Sequence, residues 1–332
     1  MAPKTETDRG VAAVHEIDSE RAGQRLDNYL LATLKGVPRS HVYRLVRSGQ
    51  VRVNSGRVRP SYRIKAGDRV RIPPITRARE RTPRAGSGGF RWLEDRIVYE
   101  DSRLIVLDKP AGLAVHGGSG VDLGCIEMLR NLRPRERSLE LAHRLDRATS
   151  GCLLIAKRRS ALHEMHRLLR EGRVDKRYLA LVAGAWPRKL ERVSANLAAS
   201  RVGGEARVRV AAEGKPATTR FETLQRFGQL ATLVSITLET GRTHQIRVHA
   251  ASSGHAVAGD MRYGADRINR RFATLGLGRM YLHATTVSFV WPATGEPFGV
   301  SVPLPGDLVD FLALLERIEP EARERARQPD HR

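Results

Sequence analysis

The chain has 332 residues, 41% of them apolar, which is enough for a sizeable buried core, and its length suggests two domains. Its 58 Lys and Arg against 36 Asp and Glu give a formal charge of +22, a field that attracts polyanions and fits an ordinary metabolic enzyme poorly. Two cysteines without CxxC spacing argue against a structural disulfide or zinc site, and no apolar run reaches the roughly 20 residues of a membrane span.

Residues 1–15 contain no apolar h-region, so they are not a secretory signal and read as a disordered tail; the chain is expected to be soluble and cytoplasmic. In "QRLDNYLLATLKG", Leu26, Tyr29, Leu30 and Leu34 share one helical face and Gly36 supplies a stop. Ser40 is placed to cap a second helix, "HVYRLVRSG", with Val42, Leu45 and Val46 on its apolar face and His41, Arg44 and Arg47 on another side. Gly49 ends it, and in "QVRVN" Val51 and Val53 point inward while Arg52 points out. "AGDRVRIPP" adds a turn and another alternating strand, which closes a small module near Pro74. A basic helix beside a basic strand suits phosphate contacts, which orient RNA without reading its sequence. From "RLDNYL" through "SHVYRLVRSGQVRVN" to "AGDRVRI" the stretch resembles an S4 RNA-binding domain, here bounded at 16–75. Arg44, Arg47 and Arg52 are its candidate RNA contacts. One small departure is Val53-Asn54-Ser55-Gly56, where a Val-Asn-Gly turn is usual.

Residues 76–92, with "ITRARERTPRAGSGG", lack periodicity and read as a basic linker. Beyond it come short strands in "RIVYED", "RLIVLDKP", "GCLLIAK", "KRYLALVAG", "ATLVSITLE" and "TTVSFVW". Helical patterns lie among them in "SALHEMHRLLREG", "GRTHQIRVHAASSG" and "DLVDFLALLERIE". Strands with interspersed helices but no regular βαβ repeat predict an α+β domain over 93–318, built on a mixed, largely antiparallel sheet. Residues 319–332 read as a frayed, charged tail.

Asp146 stands among His143, Arg144 and Arg147, just before the strand "CLLIAK". The arginines would keep it ionised, yet taken alone it reads more readily as a structural ion pair than as chemistry. In "LETGRTHQIRVHAASSGH", Thr243 is placed to cap a helix on which His244, Arg247 and Ala251 share a face. Arg242 and Arg247 are the best cations to fork onto a carboxylate. His244, His249 and His255, like His163 and His166, have no carboxylate or cysteine at a metal-site spacing, so no metal is expected. Tyr178 opens an apolar strand and stays open between sheet packing and a stacking platform for a base. "AGSGG" and "HGGSG" fit neither a dinucleotide fingerprint nor a P-loop, so no cofactor is expected.

Taken together, "HRLDRATSG", "KRYLALV", "GRTHQIRVH", "GHAVAGDMRYG", "LIVLDKPAGLAVHGGSG" and "YLHATTVSFVWPATGE" resemble the RluA family of RNA pseudouridine synthases almost continuously from the S4 module to the last helix. The resemblance implies the pseudouridine synthase fold, Asp146 as catalytic nucleophile, Tyr178 in the active site and Arg247 paired with the aspartate. It also implies that Arg144 fills the space vacated by a flipped uridine, and that Arg242 and His244 contact substrate. The branch it is most similar to is the C-type of the large ribosomal subunit, with 23S rRNA or a large-subunit assembly intermediate as partner and the protein as a monomer. The D-type branch and a non-catalytic S4-containing assembly factor are the alternatives. Ala148 departs from the pattern, where close relatives often carry an acid.

Overall fold

Alternation of inward valines and outward arginines builds the first sheet. In this computed structural model, which describes residues 12–34, 37, 39–74, 87–117, 123–136, 138–202 and 205–327, the chain divides into two units, Met1–Arg84 and Ala85–Arg332. The first unit contains β1 (Ala13–Glu16), α1 (Leu26–Thr33), α2 (Arg39–Arg47), β2 (Arg52–Val53) and β3 (Arg69–Ile72), with the antiparallel sheet order β1-β3-β2. Leu26, Tyr29, Leu30, Val42, Leu45, Val46, Val51, Val53 and Val70 form its core. Asn54 and Ser55 adopt φ 49° and 68° in the turn that departs from the usual pattern, and Val53 and Gly56 exchange both backbone hydrogen bonds. Asp68 holds that turn: Asn54 Nδ2 donates to it at 2.8 Å and Tyr62 Oη at 3.1 Å.

Two sequence readings in this unit are corrected. The tail ends before Ala13, because Ala13–Glu16 pairs with β3; its side chains are mostly exposed, so backbone pairing, not an apolar pattern, makes the strand. Arg39 already begins α2, so Ser40 lies inside its first turn rather than at the cap. The stop assigned to Gly36 and residues 76–86 of the linker lie outside the described residues.

The second unit opens on a 3-10 helix, Ser87–Arg96, which corrects the end of the linker; Leu93 on it is buried in the core. Then follow β4 (Ile97–Glu100), β5 (Leu104–Lys109), α3 (Cys125–Leu132), β6 (Glu140–Leu141), β7 (Ser150–Ala156), α4 (Arg159–Arg170) and β8 (Asp175–Ala183). The chain continues through β9 (Arg192–Val202), β10 (Glu205–Val210), β11 (Lys215–Phe227), β12 (Ala231–Leu238), α5 (Gln245–Ser252), α6 (Asp266–Thr274), β13 (Leu282–Val290), β14 (Pro297–Ser301) and α7 (Gly306–Arg327). α7 stays helical beyond Ile318, so the boundary drawn there for a frayed tail is not a structural one.

One sheet runs β10-β9-β11-β12-β8-β13-β7-β5-β4, with β14 on β13 and β6 on β7. It is antiparallel except between β13 and β7, as expected of an α+β domain with a mixed, largely antiparallel sheet. β7 is an uninterrupted run, SGCLLIA, buried at every position, as a central strand covered on both faces must be. α4 lays Ala161, Met165 and Leu168 into this core, a stripe of i, i+4, i+7 spacing. Fully burying a side chain such as Met165 or Leu168 contributes about 1.5–3 kcal/mol.

Candidate active site

Asp146 lies in the loop between β6 and β7, and its carbonyl accepts the Thr149 N–H at 3.1 Å to close a turn. Gly151 then brings β7 against β13: φ is +104°, and a Cβ there would meet the Ala284 carbonyl oxygen at 2.1 Å. Ala284 pairs with Gly151 on one side and with Tyr178 on the other. One row across three strands thereby sets Tyr178 beside the end of the aspartate loop. Behind that loop, Lys109 is fully buried and its Nζ donates to the carbonyls of Pro110 (2.7 Å), Leu113 (2.9 Å) and Arg147 (3.2 Å). Burial pushes its pKa down to about 8.

α5 supplies the cation. Arg247 Nη1 donates to Asp146 Oδ2 at 3.0 Å, while Nε and Nη2 grip Asp260 at 2.7 and 2.8 Å. Asp260 is itself fixed by the N–H groups of Arg262 at 2.9 Å and Tyr263 at 3.2 Å. Burial alone would raise the Asp260 pKa, but Arg247 outweighs it and holds the carboxyl below its usual range. For Arg247, burial is likewise overcome by Asp260 and Asp146, so it stays a cation. His244 Nε2 lies 3.7 Å from the same Asp146 Oδ2, and its Nδ1 is 2.7 Å from Tyr263 Oη, which also accepts the Val208 N–H at 3.1 Å. Burial lowers the His244 pKa, favouring the neutral imidazole. Both neighbours thus approach Oδ2, and among the described residues Asp146 Oδ1 has no hydrogen-bond partner, leaving it open to a ligand.

Asp146, Tyr178, Arg247, Arg144, Arg242 and His244 all line one open cleft of about 840 Å³, within the size range of small-molecule sites. Arg144 is exposed at its lip; Arg242 Nε donates to the Pro216 carbonyl at 3.2 Å. Tyr178 is buried, and burial followed by Asp146 raises its phenol pKa, so the hydroxyl stays protonated. Arg147 turns away and donates to the Gly112 carbonyl at 2.8 Å. The candidate RNA contacts of the first unit, Arg44, Arg47 and Arg52, are exposed there, with a histidine or carbonyls as neighbours rather than carboxylates.

The cap assigned to Thr243 is corrected. His244, at φ 55°, stands at the start of α5 without a side-chain cap. Gln245 does the tying instead: its Oε1 accepts from Arg242 N at 3.0 Å and Thr240 Oγ1 at 2.7 Å. The histidines of this stretch disperse, His249 to Thr219 at 2.9 Å in the core and His255 to the Ala183 carbonyl at 2.8 Å. Among the described residues no group of three or more His, Cys, Asp or Glu is arranged to hold a metal ion. Asp260, Tyr263, Lys109 and Gln245 escaped sequence reasoning. The motif "GHAVAGDMRYG" contained two of them, but only the fold shows Asp260 beneath Arg247.

Residues 103–252 match the RNA pseudouridylate synthase family and residues 24–70 the S4 domain. The chain is 49% identical to the ribosomal large subunit pseudouridine synthase C of Pasteurella multocida, covering 90% of this chain and 92% of that protein. It is also 49% identical to the protein of the same name in Escherichia coli K12, covering 91% and 95%. Among solved structures, human RNA pseudouridylate synthase domain containing 1 aligns at TM-score 0.53 and 28% identity, over 71% of this chain and 96% of that one. Human RNA pseudouridylate synthase domain containing 4 aligns at TM-score 0.56 and 23% identity, over 70% and 97%, a likeness of fold.

Proposed function

The chain belongs to the RNA pseudouridine synthase family, with an S4 domain ahead of the synthase domain, and from that premise we propose that it isomerises specific uridines of 23S rRNA in the large ribosomal subunit to pseudouridine. The near-full-length likeness to two large-subunit synthases of the C-type supports the substrate. The site reading is carried by one observation: an aspartate held at Oδ2 by a buried arginine, with Oδ1 free, in a cleft it shares with Tyr178.

The reaction breaks the N1–C1′ bond, turns the uracil, and joins C5 to C1′; the proton lost from C5 is balanced by one gained at N1. It has no redox step and no group donor. Asp146 acts as the nucleophile that holds the sugar while the base is detached. Tyr178 packs its ring on the uracil, and its protonated hydroxyl is a donor rather than a resident base. The target leaves its stack at a cost of a few kcal/mol, and Arg144 at the cleft lip takes the vacated space. Arg44, Arg47 and Arg52 hold rRNA phosphates on the S4 domain, and the protein acts where that rRNA is made, in the cytoplasm.

The test is pseudouridine mapping of rRNA by carbodiimide modification and primer extension in cells lacking the protein. Specific stops in 23S rRNA disappear on deletion, return with the wild-type chain, and stay absent with Asp146→Asn, which still binds rRNA. An unchanged map removes the substrate assignment, and restoration by D146N removes the nucleophile.

A further inference from the structure

Lys176 precedes Tyr178 by two residues on β8, so both side chains leave the same face of the strand, and both line the cleft. Its Nζ lies against Gly241 on the opposite wall, where a Cβ would stand 3.5 Å away. Among the described residues this ammonium has neither an ion pair nor a hydrogen bond. The acids of the cleft are committed elsewhere: Asp146 to Arg247, Glu171 to Arg173 at 3.5 Å, and Glu239 to Arg192 at 2.9 Å and Arg220 at 2.6 Å. Asp175 leaves the other face of β8 and meets Arg177 at 3.0 Å.

The other cations of the cleft differ. Arg247 is doubly paired, whereas Arg144, Arg170 and Arg242 are exposed and hydrated. Lys176 is half-buried, and burial depresses its pKa, which marks the lost hydration. An enclosed charge without an acceptor is costly and is retained where a ligand supplies the counter-charge. Detached uracil is an anion only transiently, so it would leave Lys176 unpaired in the complex that precedes bond breaking. A phosphodiester is charged throughout, and a lysine binds it as a point charge without the fork geometry of arginine.

We propose that Lys176 is a phosphate-binding residue of the active site, taking a non-bridging oxygen of a phosphodiester next to the isomerised uridine and so setting how deeply that nucleotide enters the cleft. The proposal rests on reading the cleft as the synthase active site.

The experiment compares wild type, Lys176→Gln and Lys176→Arg on a short rRNA fragment carrying a mapped target uridine. Kinetics, binding across a salt series, and binding to fragments with single neutral methylphosphonates around the target are measured. K176Q raises KM and Kd about tenfold, the size expected for one charge-assisted hydrogen bond. It also lowers the log–log salt slope by about 0.7, one single-strand phosphate, and K176R restores both. One methylphosphonate weakens wild-type binding by a similar factor and weakens K176Q no further. An unchanged salt slope, or a kcat loss at constant KM that K176R leaves unrepaired, overturns the proposal and puts Lys176 on the base. Should K176Q fail to fold, the wild-type scan decides, and no sensitive phosphate beside the target overturns it. Binding is read without turnover, so a wild type that binds as described but forms no pseudouridine refutes the catalytic reading and leaves the phosphate assignment intact.

Discussion

Arg247 divides one guanidinium between two aspartates, Asp146 at 3.0 Å through Nη1 and Asp260 at 2.7 and 2.8 Å through Nε and Nη2. Asp260 takes the bidentate share and is fully buried, so it is the anchor, and Asp146 receives the remaining donor. Asp260→Asn keeps the shape but removes the charge that aims Arg247. Removing one partner of a buried pair costs about 3–5 kcal/mol of stability. Misplacing a reacting group by about 1 Å costs on the order of a hundredfold in rate. D260N should therefore lose kcat at nearly constant KM, and Arg247→Lys, which cannot serve both acids, should lose at least as much. Full kcat in D260N would show that Asp146 needs no such anchor.

How far this site was legible in the sequence follows from what each residue depends on. Asp146, Tyr178 and Arg247 sit in motifs dense enough to be recognised, and the long apolar strands β5, β7, β8, β12 and β13 announce themselves by composition. The strand β11, KPATTRFETLQRF, is mostly polar, and β9, RVSANLAASRV, mixes small apolar residues with Ser, Asn and Arg, so both owe their pairing to neighbours rather than to their own pattern. α6, DRINRRFAT, buries only Asn269 and Phe272, too little for an apolar stripe. Asp260 and Lys109 were hidden for a different reason: an acid in a loop or a lysine at a strand end carries no local sign of burial, and the contacts that matter, Asp260 to Arg247 and Lys109 to the Arg147 carbonyl, are made only by the fold.

Lys109 gives the second prediction. Its three acceptors include the carbonyl of Arg147, the residue after Asp146. Lys109→Met keeps the chain length but leaves three carbonyls without their donor. Leaving such groups unsatisfied costs about 1–3 kcal/mol each where water cannot reach them. Thermal or urea unfolding should show a loss of a few kcal/mol, and kcat should fall with it as the Asp146 loop loosens. A variant with native stability and native kcat would show that the loop is held by its turn alone.

The S4 arginines give the third. Arg44, Arg47 and Arg52 are exposed and, among the described residues, without acidic partners, a state suited to releasing counterions from phosphate. Replacing all three with Gln should weaken rRNA binding uniformly across sequences. It should also flatten the log–log salt dependence by about 0.7 for each single-strand phosphate no longer neutralised, about 2 in all. Filter binding between low and physiological salt measures it; an unchanged slope would place the RNA elsewhere.

The last prediction concerns pH. His143 lines the cleft but is tied to β7: its Nε2 accepts the Leu154 N–H at 3.1 Å, which requires that nitrogen to be unprotonated. Burial, then the nearby Lys176, lowers its pKa from 6.5 to about 4. Between those values the unfolded chain binds a proton that the folded chain refuses, so stability rises with pH across the window and falls on acidification. The full window is worth roughly 3 kcal/mol, an upper bound. The three tryptophans, Trp92, Trp186 and Trp291, all lie in the second unit, so their fluorescence follows its unfolding alone. Urea midpoints at pH 7, 5.5 and 4.5 should therefore drop more steeply for the wild type than for His143→Gln, whose amide oxygen can accept the Leu154 N–H without titrating. The wild type leads near neutrality, and the gap narrows or reverses toward pH 4. Other buried histidines, His249 and His283, add the same sign of dependence to both proteins and cancel in the comparison. A gap that stays constant from pH 7 to 4.5 would mean that His143 takes up its proton in the folded chain as readily as in the unfolded one.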